Sequence, residues 1–178
     1  MAVVLYWRST PSSSVALSHT SGLSHNQSFV PRPESTSSVP WPNSTFMIRA
    51  SSSGGLLTLD SGKVVLARPG GREGSIHWKC TERRGWLHFQ NPVSGCYLGH
   101  NIHGDIVCSA THHMEWEKFS VRLRPEGGYY LMITHWDRLW KIGFKEEKLA
   151  KIAEGEDGGF VKNGEKDGEV VIWEFVKV

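Results

Sequence analysis

Four consecutive residues, His135-Trp136-Asp137-Arg138, carry side chains suited to holding a small ligand. An indole presents an apolar face on which a sugar or a peptide can stack. A carboxylate and a guanidinium beside it can fix the orientation of what stacks there. The group reads as a binding site rather than a catalytic one. A blander reading stays open, in which the Trp136 ring folds over the rim of the domain or packs on the N-terminal segment.

The other residues with chemical potential point to less. His100 and His103 share one predicted hairpin tip, and His112, His113 and Glu115 share the next loop, but the spacing matches no zinc signature. They read as exposed turn residues, whereas His88 and Cys96 fall on predicted strands and read as structural. The acidic stretch Glu154-Gly155-Glu156-Asp157 lacks the ligand spacing of a calcium loop. There is no phosphate-cradling glycine loop, no metalloprotease helix and no nucleophile elbow. The expectation is therefore no metal, no cofactor and no enzymatic activity. Three cysteines make no disulfide framework. Cys96 and Cys108 flank one predicted hairpin and can approach, but the odd count favours free thiols. Cys80, two residues after Trp78, reads as a small core residue.

The elements that must position Trp136 follow from a threefold echo of about 42 residues. Each copy opens on an apolar residue (Ile48, Phe89, Ile133) and has a second nine places on (Leu57, Leu98, Ile142). A third follows (Val64, Ile106, Leu149), and a tryptophan closes the copy (Trp78, Trp116, Trp173). Short strands alternate with turn residues such as Asp60-Ser61-Gly62, and Pro69, Pro92 and Pro125 fall between strands. No core segment reads as a helix. Three four-stranded units predict an all-β chain folded as a β-trefoil over residues 46–178, with repeats at about 46–85, 86–126 and 127–178. A propeller of similar repeat length needs four or more blades. The three closing tryptophans are expected to converge on the core. Ser51 and Pro92 match Trp136 in the first two copies, so Trp136 has no pseudo-symmetric core role. The third copy is long because of a polar loop, Glu154–Val170.

Residues 1–45 hold twelve Ser and five of the eight Pro, a composition that predicts a disordered N-terminal tail. The opening MAVVLYW is too short for a signal-peptide core, and no run is long enough to span a membrane as a helix. The localisation reads as cytoplasmic, with secretion or mitochondrial targeting left open. The sequons at Asn26 and Asn43 matter only if the chain is secreted. A net charge of +2 gives no footprint for nucleic acid or a membrane as partner. Arg83-Arg84 and Arg122-x-Arg124 read as solvated strand ends.

On these features the chain resembles the β-trefoil superfamily, in particular ricin-B-type lectin domains, fascin-like (actin-crosslinking) trefoils and an uncharacterised fungal group of such proteins. The resemblance covers residues 46–178 and rests on the repeat, the phrasing Ser94-Gly95-Cys96-Tyr97-Leu98-Gly99-His100 and the closing tryptophans. It implies a lectin-like module with a glycan as partner. The alternative is a fascin-like module that binds actin or another protein. Ricin-B domains place Gln two residues before the closing Trp. Here Ile76, Met114 and Val171 stand there, which weakens the implied galactose-type site.

Overall fold

The computed structural model describes residues 37–71, 74–136, 138–152 and 168–178. Among the described residues thirteen strands follow one another along the chain. The first unit holds β1 (Ser44–Ala50), β2 (Leu56–Asp60), β3 (Lys63–Ala67) and β4 (His77–Arg83). The second holds β5 (Trp86–Gln90), β6 (Tyr97–His100), β7 (Ile106–Ala110) and β8 (Phe119–Leu123). The third holds β9 (Tyr129–His135), β10 (Arg138–Lys145), β11 (Lys148–Ile152), β12 (Glu169–Val170) and β13 (Trp173–Lys177).

Antiparallel pairing runs β1–β4, β4–β5, β5–β8, β8–β9, β9–β13 and β13–β1, which closes a ring of six strands. The first and last strands of each unit make that barrel. The middle strands pair as hairpins, β2–β3, β6–β7 and β10–β11. A six-stranded barrel with three hairpins is the β-trefoil expected from the repeat, and closure leaves the barrel no free edge. The opening residues Ile48, Phe89 and Ile133 are fully buried, as are Leu57, Leu98 and Ile142. Phe175 stands at the centre, stacked on Phe89 and edge-on to Phe46 and Tyr129.

Cross-strand register identifies the true closing positions. Cys80 pairs with Phe89, Phe119 with Ile133 and Phe175 with Ile48, so these three are equivalent. Two residues earlier lie Trp78, Glu117 and Trp173. Trp78 and Trp173 are fully buried, as expected, and burial pushes the Cys80 thiol up to about 12, consistent with an inert core residue. Trp116 is not a core residue. It sits on a 3-10 helix, Glu115–Glu117, with 39% of its surface exposed, and β8 begins only at Phe119. A glutamate occupies the core position that tryptophan fills in the other two units.

Residues 37–45, which the sequence assigns to the tail, are ordered. Ser37 bridges to Val176, Ser38 N–H donates to the Phe175 carbonyl at 2.8 Å, and Pro40 is buried, its carbonyl facing Cys80 Sγ. Residues 1–36 lie outside the described residues. The contacts of 37–43 predict that a chain beginning at Asn43 is less stable than one beginning at Ser37. The expected difference is roughly 1–3 kcal/mol, a fall of several degrees in melting temperature. Equal thermal midpoints by circular dichroism would contradict it.

Most of the expected loop Glu154–Val170 lies outside the described residues. Its end is a strand, where β12 pairs with β10 through Gly143↔Val170 and Phe144↔Glu169.

Candidate functional site

Pairing of Arg138 with His135 leaves two positions, 136 and 137, for the turn between β9 and β10. Such turns favour Asn or Gly because they need a positive φ. Trp136 has φ 57°, an uncommon conformation for a bulky side chain, and 87% of its surface is exposed. The hairpin is paired out to its tip. Its counterparts join at one register pair each, Arg49↔Leu56 and Gln90↔Tyr97. Hairpin β9–β10 is therefore where the threefold symmetry breaks, and the break presents Trp136 to solvent.

His135 is half-buried, and its ring lies 5.8 Å from that of Trp136. Arg138 is exposed and faces His135 across the strand pair. Asp137 lies outside the described residues. Around this turn the structure gathers residues that the repeat did not single out. Lys151 Nζ is 2.6 Å from His135 Nδ1 and 5.8 Å from the Trp140 ring. The Lys151 stem packs on Gly104, where a Cβ would approach Lys151 Cε to 2.9 Å, and Lys151 N–H donates to the Gly104 carbonyl. Burial pushes the Lys151 ammonium down to about 8.

His100 is buried, not the exposed turn residue expected of it. Its ring stacks on Trp116 at 5.1 Å and meets the His135 ring edge-on at 5.0 Å. Its Nε2 faces the Thr134 carbonyl at 3.0 Å and its Nδ1 the Asn101 carbonyl at 2.8 Å. Burial holds it below the ordinary histidine range, and the Lys151 charge adds to that, while the two carbonyls act in the opposite direction. Burial likewise lowers His135, and Lys151 and His100 reinforce the shift. Thr134 Oγ1 donates to the Glu115 carbonyl at 2.7 Å, which ties β9 to the 3-10 helix. Trp116, His100, His135 and Trp136 thus form a continuous series of ring contacts across the boundary of units two and three.

The remaining histidines divide differently. His103 and His112 are exposed as expected, while His113 is half-buried and stacks on the buried His88 at 4.4 Å. Among the described residues no three His, Cys, Asp or Glu side chains are grouped to hold a metal. Cys108 Sγ approaches the Cys96 carbonyl at 3.4 Å, both cysteines are free, and Cys96 precedes β6 rather than lying on it.

Beneath the site, Glu117 accepts from Met114 N–H at 2.8 Å and packs against Gly99, where a Cβ would meet Glu117 Oε1 at 2.9 Å. Burial holds its carboxyl above the ordinary range, against the pull of that N–H. A carboxyl raised in the folded state contributes most stability below its unfolded pKa and loses it as pH rises through the folded value. Glu117→Gln is expected to match the parent near pH 4 and to exceed it at pH 7–8 in urea denaturation. His88 and His100 are held low and cost stability as pH falls below the ordinary histidine value, but they do so in both proteins and cancel in the difference. A difference independent of pH would refute the assignment.

No family model matches the chain, and no curated protein does. Solved structures do. The GlcNAcα1-4Gal-releasing endo-β-galactosidase from Clostridium perfringens superposes with a TM-score of 0.56 at 17% identity, over 76% of this chain and 32% of that one. This chain therefore spans about a third of the enzyme's length. SeviL bound to the asialo-GM1 saccharide superposes with a TM-score of 0.54 at 12% identity, over 76% of this chain and 98% of that one. At these identities the likeness establishes the shared fold.

Proposed function

We propose that this chain is a non-enzymatic, lectin-like carbohydrate-binding module whose site is the surface around Trp136 at the boundary of units two and three. One observation carries the reading: an exposed indole held at positive φ on the hairpin that breaks the symmetry. Unusual backbone geometry at a bulky, exposed residue is a feature of binding positions. Trp136 offers a stacking face, His135 and Arg138 offer polar contacts, and Trp116 extends the aromatic surface. The structure of SeviL, of the same fold, holds a saccharide, which supports this ligand class. A fascin-like role in crosslinking actin gains no comparable support. A crosslinker needs two filament sites, and the described residues form one trefoil.

The test is a glycan array followed by tryptophan fluorescence titration of the hits. A saturable change, with the bound sugar perturbing an exposed indole, is expected. An array with no hit, and no fluorescence response to millimolar sugars, would reject the reading.

A further inference from the structure

Among the described residues the charged groups of the site are of one sign; Asp137, between Trp136 and Arg138, lies outside them. Lys151 and Arg138 are cationic, and the rings beside them belong to His100 and His135. The nearby carboxylates are engaged elsewhere. Glu115 pairs with Lys118 at 2.6 Å, and Asp105 accepts from Asn101 Nδ2 at 3.0 Å. Glu117 is buried on the Met114 N–H. Among the described residues neither Lys151 nor Arg138 forms an ion pair.

Lys151 is the more telling of the two. An ammonium has three donors, and one of them is directed at His135 Nδ1. Its stem packs on Gly104 and its ammonium lies 5.8 Å from the Trp140 ring, so the group is partly withdrawn from solvent. A half-buried cation without a counter-charge is costly, and an arriving anion relieves that cost. A neutral ligand does not.

We propose that the site selects glycans carrying an anionic substituent, a carboxylate or a sulfate ester, which Lys151 and Arg138 bind while Trp136 stacks on a sugar ring. This rests on the carbohydrate-binding reading and names its ligand class. The contact to Lys151 is the inner one, since that amine is half-buried. Arg138 lies exposed at the hairpin tip and can close on the same substituent from outside. Both cations point to a charge-assisted hydrogen bond as the source of selectivity.

The experiment uses the full chain on an array that presents each glycan with and without sialyl or sulfate groups, followed by calorimetry with lactose, 3′-sialyllactose and 3′-sulfolactose. The acidic sugars are expected to bind about tenfold or more tighter than lactose, as one charge-assisted hydrogen bond allows. Preference for the carboxylate over the sulfate, or the reverse, supports the proposal and identifies the natural substituent. Lys151→Met should abolish the preference and Lys151→Arg should retain it. Arg138→Gln, at an exposed position, should reduce it without affecting the fold. The preference should fade as pH rises through about 8, where Lys151 loses its proton. The other titratable groups beside that amine are His135 on β9 and His100 on β6, both held below the ordinary histidine range by burial, while Asp105, next to Gly104, accepts from Asn101 Nδ2. Equal binding of neutral and acidic sugars overturns this inference and leaves the carbohydrate reading standing. A blank array overturns both.

Discussion

Replacing Trp78 by alanine is expected to destabilise the protein by about 3–5 kcal/mol, and Trp173→Ala by a similar amount. Both indoles are fully buried at equivalent positions of the barrel, and a loss of this size removes much of a domain's roughly 5–15 kcal/mol. Trp116→Ala should cost about 1 kcal/mol or less, because that ring lies at the surface against His100. Phenylalanine variants sharpen the test. Trp78 Nε1 donates to the Leu57 carbonyl at 2.8 Å, whereas Trp173 Nε1 is buried with no partner among the described residues. In unit three the equivalent carbonyl, that of Ile142, accepts from Val171 N–H instead. Trp78→Phe therefore removes a made hydrogen bond, and Trp173→Phe removes an unmet donor. The first should be the more destabilising by about 1 kcal/mol or more. Urea unfolding of the five variants measures the order. A Trp116→Ala loss as large as that of Trp78→Ala would show that the register-based equivalence is wrong.

The fold was legible because it repeats. Burial at Ile48, Phe89, Ile133, Leu57, Leu98 and Ile142 is dictated by the closed barrel, and a nine-residue spacing conserved between copies marks it. At Trp116 the repeat misleads by one residue. Matching by residue type put tryptophan on tryptophan, while the backbone register puts Glu117 there. The misleading signal was strong, since a carboxylate in a hydrophobic core is uncommon unless it is hydrogen-bonded. The phenylalanine two residues on was the better guide, because Phe119 matches Phe175 in kind as well as in place. The site was legible only where it breaks the repeat. Trp136 stood out against Ser51 and Pro92. Lys151 and His100 did not, because their roles depend on side chains meeting across strands far apart in sequence. The segment 37–43 escaped because its contacts are largely backbone hydrogen bonds, which a Ser- and Pro-rich composition does not advertise.

Trp136→Ala is expected to leave folding intact and to remove most of the affinity for a glycan, about 30-fold or more. A single stacking aromatic at the centre of a small site is commonly worth 2 kcal/mol or more. Trp136→Gly separates the two roles of the residue. Glycine accepts φ 57° without the side-chain clash that a tryptophan bears, so this variant should be as stable as the parent or more stable by about 1 kcal/mol. It should bind no better than the alanine variant. A residue that lowers stability while serving a ligand gives opposite signs in the two measurements, whereas a residue folded over the barrel rim gives losses in both. Thermal unfolding and calorimetric titration of both variants against the tightest glycan from the array provide the comparison. Trp136→Phe should fall between, since it keeps a smaller stacking face at the same turn position. Unchanged affinity in the alanine and glycine variants would move the site away from hairpin β9–β10. A loss of stability in both would return Trp136 to a structural role.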